Sequence, residues 1–150
     1  METKQTSTLI WPLVVFACVS VSLFITPTIS VDPFNLPKMT LLFTIALAIF
    51  ALVLVNIKTS LTFLNKWLVF TILAFISQLI LVVLFSGAPI NQQIYGVAGR
   101  NTGFLTYLAL AIILLGASAS ATVAKLTSFA YAVIFTGVIS IAYGLLQVFG

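Results

Sequence analysis

The sequence predicts an all-α fold, namely a polytopic membrane helical bundle of about five transmembrane helices. Hydrophobic residues make up 62% of the 150 residues, and charged residues only 5%, against about a quarter in soluble domains. The apolar residues also form long uninterrupted blocks that are apolar on every side, which is not the pattern of an amphipathic surface helix. A membrane barrel would instead show strands of alternating polar and apolar residues.

Five apolar blocks have or approach the roughly 20 residues that a helix needs to cross the hydrocarbon core. They span residues 9–29, 39–57, 67–85, 104–121 and 126–149. The first block follows Lys4 and has the outline of a signal peptide, but no small-x-small cleavage site ends it. We therefore expect an uncleaved first helix, with Pro12 and Pro27 near its ends. The links at 58–66 and around Lys125 are predicted to be tight turns.

Basic residues in the short connections predict the orientation, because they are enriched on the cytoplasmic side. One side would carry Lys4, Lys58, Lys66 and Lys125, and the other Lys38 and Arg100. Four charges against two place the N-terminus in the cytoplasm. Lys38 and Arg100 then lie on the extracytoplasmic side, against the trend, and need another explanation.

Several chemistries are excluded by composition. The chain has no histidine, so no histidine can act as a base or metal ligand. Its single cysteine, Cys18, cannot form an internal disulfide. The only acidic residues, Glu2 and Asp32, are far apart in sequence and do not suggest paired carboxylates. The basic residues are scattered, which does not indicate nucleic-acid binding. We predict no catalytic residue, metal or cofactor in this chain.

Arg100 and Lys38 are the candidate binding residues. Arg100 is the only arginine and lies among Gly96, Gly99 and Gly103, just before an apolar block. A guanidinium can bind phosphate oxygens through two parallel hydrogen bonds, and amides at a helix N-terminus would add to such an anion site. Alternatively, both cations extend to lipid headgroups and the glycines only make a turn. For the small residues at 116–121 and for Ser140 and Gly144, we expect close helix packing.

Three motifs in order support a family resemblance. "DPFNLPK" precedes the second helix, "QQIYGVAGRNTGFLTYLAL" leads into the fourth, and "YGLLQVFG" ends the fifth. Together they resemble the N-terminal part of the O-antigen ligase and O-antigen polymerase family. The resemblance implies a multi-pass protein of the bacterial cytoplasmic membrane. It would act on undecaprenyl-diphosphate-linked glycan at the extracytoplasmic face, in cell-surface polysaccharide assembly. Lys38 and Arg100 match motif positions and would contact the lipid diphosphate.

The same resemblance implies further helices and a large outer loop that holds the catalytic residues. We therefore expect residues 1–150 to be the N-terminal transmembrane part of a longer glycosyltransferase, inactive alone. Its partners would be membrane lipids and the lipid-linked oligosaccharide. Two alternatives remain at this stage: a transporter or channel fragment, and a small structural membrane protein. The absence of a charge inside any apolar block argues against an ion path. The oligomeric state is not predicted.

Overall fold

A computed structural model of the protein describes residues 2–24, 35–97 and 100–149. Within these ranges every regular element is an α-helix, which confirms the predicted all-α bundle. The seven helices are α1 (Glu2–Leu23), α2 (Asn35–Val55), α3 (Ile57–Phe63), α4 (Lys66–Phe85), α5 (Ile90–Tyr95), α6 (Phe104–Ser120) and α7 (Val123–Phe149). The five long helices correspond to the five predicted blocks, and α3 and α5 are short helices in the connections.

Three of these helices are long and apolar enough to cross a membrane: α2, α4 and the Lys125–Phe149 part of α7. The apolar part of α1 (Leu9–Leu23) and all of α6 are shorter. The 17 residues of α6 lie at the lower limit for a spanning helix, which is about 17 residues. By length and composition the chain is a membrane protein.

Some element boundaries differ from the sequence-based ones. Helix α1 begins at Glu2, well before the apolar block, so Pro12 lies inside the helix rather than near its start. Pro27 lies outside the described residues. The link at 58–66 was predicted to be a tight turn, and this is wrong because it contains most of α3. Backbone hydrogen bonding explains the helix: the amide of Ser60 donates to Asn56 O at 2.8 Å and that of Leu64 to Ser60 O at 3.2 Å.

The core of the bundle is formed by α1, α2 and α6, which all contact one another. Ile10 and Ile49 are almost completely buried, and a Cβ added at Gly116 would meet both. Nearer the other end, a second cluster contains Val21, Leu42 and Ala109. From the first cluster to the second, the residue numbers rise along α1 but fall along α2 and α6. Helices α2 and α6 are therefore parallel to each other and antiparallel to α1.

The other two long helices are peripheral. Helix α7 packs on α1, and Trp11 and Phe129 meet edge-to-face with ring centroids 6.3 Å apart. Helix α4 packs on α6, and Phe75 and Tyr107 form a similar pair at 6.2 Å. Most other side chains of α4 and α7 are exposed apolar groups. In a bilayer such faces contact lipid, which is as apolar as they are.

The helix directions sort the basic residues between the two ends of the bundle. One end, called here the four-lysine end, holds Lys4, Lys58, Lys66 and Lys125, and the opposite end holds Lys38 and Arg100. This is the grouping that the sequence predicts. Which end faces the cytoplasm stays a prediction.

Candidate functional site

Lys38 lies in the first turn of α2 and is half-buried. Leu42, Ile45 and Ile49 follow it at intervals of four, seven and eleven residues, and all three are buried. Residues at these intervals share one face of a helix. Lys38 therefore stands on the face of α2 that packs against α1 and α6. A lysine that only extended to lipid headgroups would be expected on an outer face, so this position favours a binding role.

Arg100 lies in the turn that precedes α6, and its side chain is exposed. The backbone amides of Arg100 and Asn101 both donate to Val97 O at 3.0 Å. Asn101 adopts a left-handed backbone conformation with a φ of 49°, which asparagine tolerates better than most residues. The guanidinium therefore lies at the surface, at this end of the bundle. Local hydrogen bonds hold the backbone that carries it.

The glycines around Arg100 close the loop on itself. Gly96 has a φ of 90°, and a Cβ there would lie 2.7 Å from the carbonyl carbon of Asn101. A Cβ on Gly103 would collide with Ile94 O and with the amide nitrogen of Gly96. Gly103 is itself buried. Backbone packing therefore explains Gly96 and Gly103, and neither leaves space for a ligand. Gly99 lies outside the described residues, so the anion site predicted from the backbone amides of residues 99–103 stays a prediction.

Lys38 and Arg100 lie at the same end of the bundle, before two neighbouring helices. Lys38 begins α2 and Arg100 precedes α6. Since α2 and α6 pack side by side and run parallel, their starting ends are adjacent. This end can therefore present two cations to one extended anion. Asp32, in the same predicted outer loop as Lys38, lies outside the described residues.

Gln93 is a polar residue at this end that the sequence analysis missed. It is half-buried in α5, and its side-chain Nε2 donates to Ala88 O. Its Oε1 is buried and has no hydrogen-bond partner within the described ranges. Buried polar atoms in proteins are nearly always hydrogen-bonded, so this oxygen is an acceptor for a buried water. The polar triplet "NQQ" at 91–93 was the available signal.

The arrangement can bind an anion but has no evident acid or base. Neither of the two acidic residues of the chain falls among the side chains that the structure describes. Within the described ranges, no group of three or more histidine, cysteine or acidic residues could hold a metal. The described cations can therefore act only by electrostatic stabilisation, because a cation near a diphosphate stabilises negative charge without transferring a proton.

No known protein family, curated protein or solved structure matches this chain.

Proposed function

We propose that this chain is the N-terminal membrane part of a protein that transfers or polymerises glycan carried on undecaprenyl diphosphate. The reaction would take place at the outer face of the bacterial cytoplasmic membrane, as it does for O-antigen ligases and polymerases. The three sequence motifs support the family, and one structural observation supports the site. Parallel packing of α2 and α6 brings Lys38 and Arg100 to the end opposite the four lysines.

In such a reaction an acceptor hydroxyl or amine attacks the anomeric carbon of the lipid-linked sugar. The bond between that carbon and the diphosphate oxygen breaks, and the diphosphate leaves with the electron pair. The proton of the acceptor would go to a base in the large outer loop that the family resemblance implies. Negative charge develops on the leaving group, where cations held in place by the protein stabilise it. Lys38 and Arg100 would have this role.

A binding experiment tests the site directly. The purified protein in detergent is titrated with undecaprenyl diphosphate, and binding is followed by native mass spectrometry. We expect Lys38→Gln and Arg100→Gln each to weaken binding about ten-fold, because a charge-assisted hydrogen bond contributes about 1.5 kcal/mol or more. Lys58→Gln is the matched control, since Lys58 is an exposed lysine at the opposite end. Wild-type affinity in both site variants would contradict the assignment.

A second measurement addresses the reaction itself. In cells that carry the complete coding sequence, Arg100→Ala should abolish glycan transfer while membrane insertion stays normal. Transfer at the wild-type rate by this variant would remove the assignment of Arg100 to the site.

A further inference from the structure

An apolar groove of about 520 Å³ runs along the bundle between α1, α6 and the first turns of α7. Its volume is within the range of ligand pockets, about 300–1,000 Å³. Along α1 it extends from Trp11 to Ser22, which corresponds to roughly 16 Å at the helical rise. Leu126 and Phe129 of α7 line it near the four-lysine end.

The wall of this groove suits hydrocarbon. The hydroxyl of Ser22, one of its few polar groups, donates to Cys18 O at 2.8 Å within its own helix. Leu110 and Leu114 line the groove and remain 47% and 48% exposed, so the groove opens to the surrounding bilayer. Apolar cavities do not hold ordered water, and a lipid chain is the solvent available at this depth.

A cation lies at one end of the groove. Lys125 is half-buried, and its Nζ donates to Ser120 O at 2.8 Å and lies 6.0 Å from the centroid of the Trp11 ring. An ammonium has three N–H donors, and the carbonyl takes one. With six basic and only two acidic residues, the chain cannot neutralise most of its cations itself. An anion from outside the chain would complement the charge of Lys125.

The side chains around Lys125 are positioned by hydrogen bonds between helices. Trp11 is buried in α1, and its Nε1 donates to Ser128 Oγ of α7 at 3.0 Å. The Ser128 hydroxyl in turn donates to Lys125 O at 2.7 Å. Tryptophan and lysine are the usual residues at the level of the headgroups, and lysine there attracts anionic lipid. This cluster therefore lies where a headgroup would be expected.

From the groove and this cluster together, we infer that the protein binds an anionic glycerophospholipid. One acyl chain lies between α1 and α6, and the phosphate lies at Lys125. An occupant must be apolar over the length of the groove and negative at its Trp11 end, and an anionic lipid satisfies both conditions. The site is separate from Lys38 and Arg100, which lie at the other end of the bundle, so neither proposal depends on the other.

The headgroup is tested with lipids that differ only in charge. Purified protein is mixed with phosphatidylglycerol or phosphatidylcholine of the same acyl chains, and bound lipid is counted by native mass spectrometry. We expect the wild-type protein to bind phosphatidylglycerol about five-fold more tightly, because one lysine near an anionic lipid surface contributes about 1 kcal/mol. Lys125→Gln should abolish that preference. Lys66→Gln is the matched control, because Lys66 is an exposed lysine at the same end, and it should keep the preference.

A second set of measurements tests whether an acyl chain occupies the groove. Ser118, half-buried, lines the groove, so Ser118→Phe should fill it and remove binding of both lipids. Cys18 also lines the groove and is the only cysteine. Its alkylation by N-ethylmaleimide should slow at least two-fold when phosphatidylglycerol is added to the wild-type protein in detergent. Circular dichroism checks that each variant keeps its helical content.

Three results would overturn the inference. Equal binding of the two lipids by wild type would remove the role of Lys125. Unchanged lipid binding by a folded Ser118→Phe variant, with unchanged Cys18 alkylation, would remove the groove as the site. A lipid-free dimer whose formation protects Cys18 would show that a second copy of the chain fills the groove instead.

Discussion

Helices α6 and α7 are consecutive in the chain and both carry small residues at helical spacing. In α6 these residues pack near the end of the helix, whereas in α7 the buried ones, Ala132 and Thr136, lie no further along than its middle. Gly116 of α6 is buried, and an added Cβ would meet Ile49 and Ile10. In α7, an added Cβ at Gly144 would meet nothing within 4 Å in the part of the chain that the structure describes, and Ser140 is exposed. The expectation of close packing is confirmed at Gly116, whereas the helices that the structure describes provide no packing partner for Ser140 and Gly144.

The difference teaches that small residues permit close helix packing but do not cause it. In lipid there is no hydrophobic force to drive helices together, so association depends on shape complementarity and hydrogen bonds. Gly116 faces β-branched side chains from two helices, whereas no residue of α7 after Thr136 is buried. Three pairs of substitutions test this contrast between packed positions and positions that face lipid.

The largest effect is expected for Gly116→Leu. The added side chain would enter the space that Ile49 fills, and overpacking of this kind destabilises a core by about 3 kcal/mol at the upper end of the usual range. Gly144→Leu is the matched control and should change the free energy of unfolding little. The measurement is unfolding in mixed micelles with increasing SDS. A similar loss of stability in both variants would show that α7 is packed as tightly as α6.

A smaller loss is expected for Ile49→Ala. Ile49 is completely buried, so the substitution leaves a cavity and should lower the free energy of unfolding by about 2 kcal/mol. Ile80→Ala removes the same atoms from α4, where Ile80 is 44% exposed, and should have little effect because lipid fills the space. If the two variants unfold at the same SDS fraction, the division between a packed core and a lipid-facing α4 is wrong.

The smallest effect concerns the contact between α1 and α7. Trp11→Phe removes the hydrogen bond to Ser128 and weakens the interaction with Lys125, together about 1 kcal/mol. We expect faster hydrogen exchange at backbone amides in the first turns of α7, while α2 and α6 exchange as before. Trp67→Phe is the control, since Trp67 is 79% exposed. Unchanged exchange in α7 would mean that Trp11 does not hold this helix in place.

The candidate site was predictable only in part. The sequence places Lys38 before the second predicted span and Arg100 before the fourth. Two crossings of the bilayer separate them, so both residues lie on the same side. The half-burial of Lys38 required the fold, since it depends on which face of α2 meets α1 and α6. Gln93 was missed because three polar residues in a predicted loop show no helical periodicity that would indicate a buried side chain. The role of Gly103 was unclear because its contact with Ile94 and Gly96 spans two different segments.

The sequence by itself determined the all-α class, the five long helices and the division of the basic residues between the two ends. These features follow from local composition, because a long apolar helix satisfies all of its backbone hydrogen bonds within one segment, as the hydrocarbon requires. The tertiary structure alone decided which helix faces are buried, where Lys38 points and where the groove between α1 and α6 lies. An apolar side chain is equally compatible with lipid and with another helix, so only the fit between particular surfaces selects one of them.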